Sequence, residues 1–237
     1  MMTIPCKINS LLTKIKEFFK LSFLPLLELI FFKLFRMINM GLYIKTYSNT
    51  DAKGKIVQYL GSYHGKVLIL TGLLGLIILS ITGKNLQRIG KCYHRNRLNL
   101  SWQYLCNDLK QMLFLAVPAM ILTALPAKNL LTLLYKSTGN IEVSMLQIGS
   151  INILLIPLAV YLYKLISNLD LKIIEIIIPM ISFIIQTIVM GILVKQEALG
   201  ALSLIISDVV FWFLIVLFEL LVVIKTIKLP LIKNKDV

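Results

Sequence analysis

Six long blocks of mostly apolar residues constrain this chain more than any other feature. A bilayer's hydrocarbon core, roughly 30 Å thick, takes a helix of about 20 such residues to cross. The blocks are Leu21 to Tyr43, Tyr59 to Thr82, Gln111 to Tyr135, Leu146 to Ile166, Ile173 to Val194 and Ala201 to Ile224. Lipid offers the backbone no hydrogen-bond partners, so each block is predicted to be a helix. The expected fold class is therefore all-α: a polytopic membrane protein of about six transmembrane helices. Composition agrees, with 58% hydrophobic residues and a mean hydropathy of +0.85.

The first block is not read as a secretory signal. It carries Glu28, Lys33 and Arg36 and runs past the short apolar core that a cleaved leader has, so it is taken as a retained span. Residues 1–20 contain LLTKIKEFFK, whose spacing suits a helix lying along the inner surface; a solvated tail fits as well. The expected organisation is 1–20 as a cytoplasmic segment, 21–228 as a six-span unit and 229–237 as a cytoplasmic tail.

The chain's net charge is +14, and its position along the sequence gives it meaning. The N-terminal tail, the connection Gly83 to Lys110, the connection Lys164 to Lys172 and the tail from Lys225 carry +3, +5, +1 and +3. The alternate connections, Ile44 to Gln58, Lys136 to Met145 with Lys128, and Lys195 to Gly200, carry +2, +1 and 0. Lys and Arg collect on the cytoplasmic side, so both termini are expected inside, as an even number of spans also requires. Tyr93, Trp102 and Tyr104 interleave with the basic residues of 84–110, a pattern that nucleic-acid binders share. A loop facing anionic lipid headgroups accounts for it without nucleic acid.

Cys6, Cys92 and Cys106 show no pair spacing, and no disulfide is expected. Cys92 and His94 lack the further ligands of a zinc site, so neither metal nor cofactor is expected. There is no HExxH, and His64 and His94 are the chain's two histidines. Glu175 and Asp208 lie on different spans without the glycines of a membrane aspartyl protease. An enzyme is not the expected reading.

Polar residues recur at helical spacing within the apolar blocks. Glu175, Pro179, Ser182 and Gln186 fall within an arc of about 60° on the fifth span. Ser150, Pro157, Tyr161 and Lys164 do the same on the fourth. Asp208 and Glu219 nearly eclipse on the sixth, with Trp212 on the same side, and Glu28, Arg36 and Asn39 share one side of the first. A mid-membrane charge costs about 2.5 to 3.5 kcal/mol on insertion scales, so such residues face a protein interior or a watery cavity. Two readings fit: a hydrated cavity between spans, or snorkelling of Lys164, Glu175 and Glu219 to the interface while Ser and Gln bond their neighbours. On the second span, Gly61, Gly65, Gly72 and Gly75 are expected to form one face for close helix contact. His64 beside it reads as a packing residue before a proton relay. Pro118 and Pro126 each remove an amide donor from the third span, which is expected to kink and to leave the helix after Pro126.

AVPAMILTALPAKNLLTLLYKSTGN, LQIGSINILLIPLAVYLYKLIS and IIEIIIPMISFIIQTIVMGILVKQEALGALSLIISDVVFWFLIVLFEL together resemble successive spans of polysaccharide exporters of the MOP superfamily. Upstream, LELIFFKLFRMINMGLYIKTYSNTDAKGKIVQYLGSYHGKVLIL is similar to the start of such a lobe. The stage V sporulation protein B type and the lipid II flippase type are the relatives it suggests. Two departures stand out: Lys136 follows LLY where the family has glycine, and ISNLDLK stands where it often has a GLGK turn.

The resemblance implies one six-helix lobe, the C-terminal one, of a two-lobe flippase with a central cavity. The other half would come from a second lobe or a second copy; a truncated remnant is the third possibility. It further implies a lipid-linked sugar as substrate. Lys33, Arg36 and Asn39 are the candidates for its anionic group. Glu28, Glu175, Ser182, Gln186 and Asp208 are candidates for lining a cavity or binding a coupling ion, with Pro118 and Pro126 as hinges.

Overall fold

In the computed structural model, the described residues are 37–46, 53–136, 139–196 and 199–228. Every regular element among them is helical. The chain divides into two units, Met1–Gly41 and Leu42–Val237. Of the first, residues 37–41 are described, and they are helical.

In the second unit, helix α1 (Lys53–Ser62) passes through a π-helical turn, Tyr63–Val67, into α2 (Leu68–Thr82). A 3-10 turn, Gly83–Asn85, leads on to α3 (Leu86–His94). After a tight reversal come α4 (Leu98–Ala124), α5 (Ala127–Tyr135) and α6 (Asn140–Gly149). The remaining helices are α7 (Asn152–Asn168), α8 (Lys172–Leu193) and α9 (Leu202–Val223), which ends in a second π turn, Ile224–Lys228. Five helical stretches among the described residues are long and apolar enough to cross a membrane: Lys55–His94, Leu98–Ala124, Asn140–Asn168, Ile173–Leu193 and Leu202–Lys228. The chain is an all-α, multi-pass membrane protein. The expected first span lies mostly outside the described residues, so the count of six stays an expectation.

The α6–α7 stretch is the central post. Its apolar window is 56% buried, against 22–33% for the other four. Helix α7 packs against α2, α3, α4, α8 and α9. Leu162, Leu165 and Ile166 of α7 meet Leu105 and Met112 of α4, Ile89 of α3 and Val223 of α9 in one core cluster. The outward faces stay apolar: Phe114, Leu122, Ile173 and Ile188 are exposed, as lipid-facing side chains are.

The structure corrects three expectations. First, 83–110 is a helical hairpin rather than a loop, and the third crossing is α4, Leu98–Ala124, which starts well before Gln111. The charges hid it from hydropathy, yet Ser101, Leu105, Asp108, Met112 and Ala116 form a buried stripe at helical spacing. Second, α4 ends at Ala124 and the helix α5, Ala127–Tyr135, starts directly after Pro126, where the chain was expected to leave the helix; Pro118 lies exposed inside α4. Third, the four glycines do not act as one contact face. The π turn between Gly61 and Gly72 adds a residue to the helical repeat and rotates the rest of the helix by about 100°. A Cβ at Gly75 would sit 3.2 Å from Pro157 Cδ on α7, whereas Gly61, Gly65 and Gly72 have nothing within 4 Å.

Candidate functional site

Among the described residues of the second unit are three buried polar centres. One lies among α7, α8 and α9. Phe183 of α8 stacks on Phe211 of α9 with ring centroids 4.3 Å apart, which fixes the register of that antiparallel pair. Gln186, three residues after Phe183, and Asp208, three before Phe211, therefore stand at the same depth. Asn152, at the start of α7, donates from Nδ2 to Asp208 Oδ2 over 2.8 Å. Asn152, Ser182, Gln186, Ser203, Ser207 and Asp208 are all buried. The two α9 serines bond to nearby backbone, Ser203 to the Gly200 carbonyl in the turn before the helix and Ser207 to the Leu204 carbonyl within it. Asn152 Oδ1, Ser182 Oγ and Gln186 Oε1 have no hydrogen-bond partner.

A second centre sits nearer the α3–α4 turn. Asp108, fully buried on α4, accepts from Asn85 Nδ2 at 2.7 Å and from the Tyr161 hydroxyl at 3.0 Å. Each carboxylate oxygen thus has a donor, and α4 is tied to both α7 and the 3-10 turn after α2. Arg88 Nη1 adds a long bond to Asn85 Oδ1 at 3.4 Å.

The third centre lies at the opposite end, at the start of α6. Glu142 is buried, and its Oε1 accepts from Ser62 Oγ at 2.5 Å while its Oε2 meets Lys66 Nζ at 2.9 Å. Lys66 belongs to the first π turn and also lies 5.6 Å from the centre of the Tyr135 ring. The Tyr135 hydroxyl donates to the Gly65 carbonyl at 3.3 Å. The π turn is thereby fastened to both α5 and α6.

Of the residues predicted from sequence, Ser182 and Gln186 on α8 and Asp208 on α9 are all buried, and Asp208 is bonded to Asn152 of α7. They are enclosed between helices: Ser182 is 0%, Asp208 5% and Gln186 7% exposed. Glu175 is half-buried, seven residues before Ser182 and so about 10 Å along the axis. Glu219 is buried, while Lys164 is exposed at the far end of α7. Asn39, in the helical residues 37–46, is buried with its Oδ1 unpartnered. Glu28, Lys33 and Arg36 lie outside the described residues. His64 is half-buried and meets the Tyr63 ring edge-on at 4.7 Å.

Sequence reasoning missed Asn152, the Asn85–Asp108 bond and the Ser62–Glu142–Lys66 cluster. The buried stripe on α4 was the available signal for Asp108; the other partners are 80 and 56 residues apart in sequence and left none.

Lys136 closes α5 at φ 61°, and Asp170 turns between α7 and α8 at φ 59°. Both adopt the left-handed conformation that glycine enters freely.

Comparison with known protein families, with curated proteins and with solved structures finds no match.

Proposed function

We propose that this chain is one lobe of a membrane transporter that moves lipid-linked oligosaccharide or polysaccharide precursors across a bacterial cell membrane, with both termini cytoplasmic. The observation that carries the reading is the α7–α9 centre, a carboxylate, an amide pair and hydroxyls gathered inside helices that otherwise face lipid. A passive anchor needs none of these groups, each of which disfavours insertion. Three of their oxygens lack partners, so they are available to a head group or ion once the helices separate. Helix α4, ended by Pro126 and followed by the short α5, gives the lobe an element that can re-angle.

In this reading the sugar diphosphate head enters between this lobe and a second lobe or a second copy, while its lipid tail stays in the bilayer. Lys33, Arg36 and Asn39 are the candidates for binding the phosphates. Glu28, Glu175 and Asp208 balance charge or bind a coupling cation. The function is transport and not catalysis.

A second reading, a non-transporting interaction or assembly subunit or a truncated remnant, is favoured by the enclosure of Ser182, Gln186 and Asp208. Buried polar groups also serve as interhelical glue. Single cysteines at 182, 186 and 208 separate the two. Modification by a membrane-impermeant thiol reagent supports transport, and quenching by lipid-borne probes alone excludes it. In proteoliposomes holding this chain and its partner lobe, Lys33→Ala and Arg36→Ala are expected to slow headgroup flipping of a fluorescent lipid-linked sugar. Unchanged flipping removes that pair from the site.

A further inference from the structure

The hairpin formed by α3 and the first turns of α4 has no part in the proposed transport site, yet it carries the densest charge among the described residues. The helical stretch Lys55–His94 is 40 residues long, against the roughly 20 that cross a bilayer's hydrocarbon core. A hydrocarbon core of about 30 Å cannot contain it, and the apolar run ends at Thr82. Helix α3 therefore emerges from the bilayer and is held against the body. Ser101 Oγ donates to the Ile89 carbonyl at 3.2 Å. A Cβ on Gly90 would lie 3.2 Å from Asn168 Cβ, and His94 Nε2 is 3.1 Å from the Asn168 carbonyl oxygen.

That attachment sets the orientation of α3. Ile89 and Gly90 are buried on one side. Lys84, Arg88, Lys91 and Arg95 are exposed on the other, within an arc of about 60° by their spacing. Arg97, Lys110, Lys225 and Lys228 are exposed as well. Asp108, the acidic residue within 83–110, is fully buried and offsets nothing at the surface. The exposed Asp170, 3.7 Å from His94 Nε2, is the acidic neighbour. Half-buried Tyr93, Trp102 and Tyr104 interleave with the cations, and Lys228 Nζ sits 5.5 Å from the centre of the Trp102 ring. Trp and Tyr prefer headgroup depth, which sets the level of this surface relative to lipid.

We propose that the α3–α4 hairpin binds anionic phospholipid headgroups, its Lys84–Arg88–Lys91–Arg95 face meeting their phosphates where the helices leave the bilayer. Each basic side chain near an anionic leaflet adds attraction that fades within a Debye length of about 10 Å at 0.1 M salt. A rigid face of four cations, with two more from the end of α9, concentrates that attraction at one place.

The test uses the full chain reconstituted in phosphatidylcholine vesicles containing spin-labelled phosphatidylglycerol or spin-labelled phosphatidylcholine. The motionally restricted fraction of each label gives a selectivity ratio. For the wild type this ratio is expected to be about two or more at low salt and to fall towards one at 0.5 M salt. The triple variant Lys84→Gln, Lys91→Gln, Arg95→Gln is expected to lower it towards one. The control Lys45→Gln, Lys128→Gln, Lys195→Gln, which removes the same charge elsewhere, is expected to leave it unchanged. Unfolding midpoints in pure phosphatidylcholine verify that the variants fold, and the double variant Lys84→Gln, Lys91→Gln replaces the triple variant should it not. A wild-type ratio near one, or an equal drop in both variants, overturns the proposal. So does retention of polyuridylate by this face without any preference for phosphatidylglycerol, which would assign it to a soluble polyanion.

Discussion

Asn152 and Asp208, 56 residues apart on α7 and α9, share a 2.8 Å hydrogen bond in an interior where both side chains are buried. Interhelical hydrogen bonds in membrane proteins are worth from about 0.6 to about 2 kcal/mol. Asn152→Ala removes a donor from a buried carboxylate and is expected to destabilise the fold by about 1–2 kcal/mol. Asp208→Asn keeps the size and an accepting oxygen, and its loss is expected to be smaller. Thermal unfolding in zwitterionic bicelles measures both; an Asn152→Ala midpoint equal to wild type would show that the contact contributes nothing.

The Glu142 cluster responds differently to single and paired changes. Lys66→Met leaves the Glu142 carboxylate buried with Ser62 still bonded to it and is expected to cost about 1–3 kcal/mol, as unpaired buried charges do. Lys66→Met with Glu142→Gln removes the charge mismatch and is expected to recover most of that loss. A double-mutant cycle on unfolding midpoints reads the coupling; strictly additive losses would mean that the pair is too well hydrated to matter.

Hydropathy alone placed α8 and α9 within a few residues of their expected ends, because a lipid-exposed helix has few ways to disguise itself. It failed at α3 and α4. There, water and protein share the helix surface, and Arg88, Lys91 and Lys110 broke the apolar run while the buried periodicity continued beneath. At the candidate site the face of α8 was legible from the four-, three- and four-residue spacing of Glu175, Pro179, Ser182 and Gln186. Its partner Asn152 was not, because pairing across helices leaves no local trace. The π turn at Tyr63–Val67 was equally hidden, since one extra residue in a helical repeat has no marker in YHGKV.

Gly149 shows where a small residue is needed at all. A Cβ there would lie 2.8 Å from Val67 Cγ1 and 3.0 Å from Ile205 Cδ1, so the α6 backbone is wedged between the π turn and α9. Gly149→Ala is expected to destabilise by about 1–3 kcal/mol, as overpacking does. Gly72→Ala, with open space around it, is expected to be neutral or slightly stabilising through helix propensity. Equal unfolding midpoints for the two variants would mean that α6 shifts to accommodate the methyl group.

Lys136 offers the converse experiment. It ends α5 at φ 61° and ψ −18°, and its amide donates to the Thr132 carbonyl at 3.0 Å, so the left-handed residue closes the helix. A side chain with a Cβ is disfavoured there by about 1 kcal/mol, while glycine enters without that penalty. The lysine side chain is exposed. Lys136→Gly is therefore expected to raise stability by up to about 1 kcal/mol, even though glycine usually loosens a chain. Lys136→Ala, which keeps the Cβ, should give no such gain. Unfolding midpoints of the two variants decide the matter: a gain with alanine as large as with glycine would trace the effect to the removed charge, and no gain with glycine would mean that Lys136 is not held in this conformation.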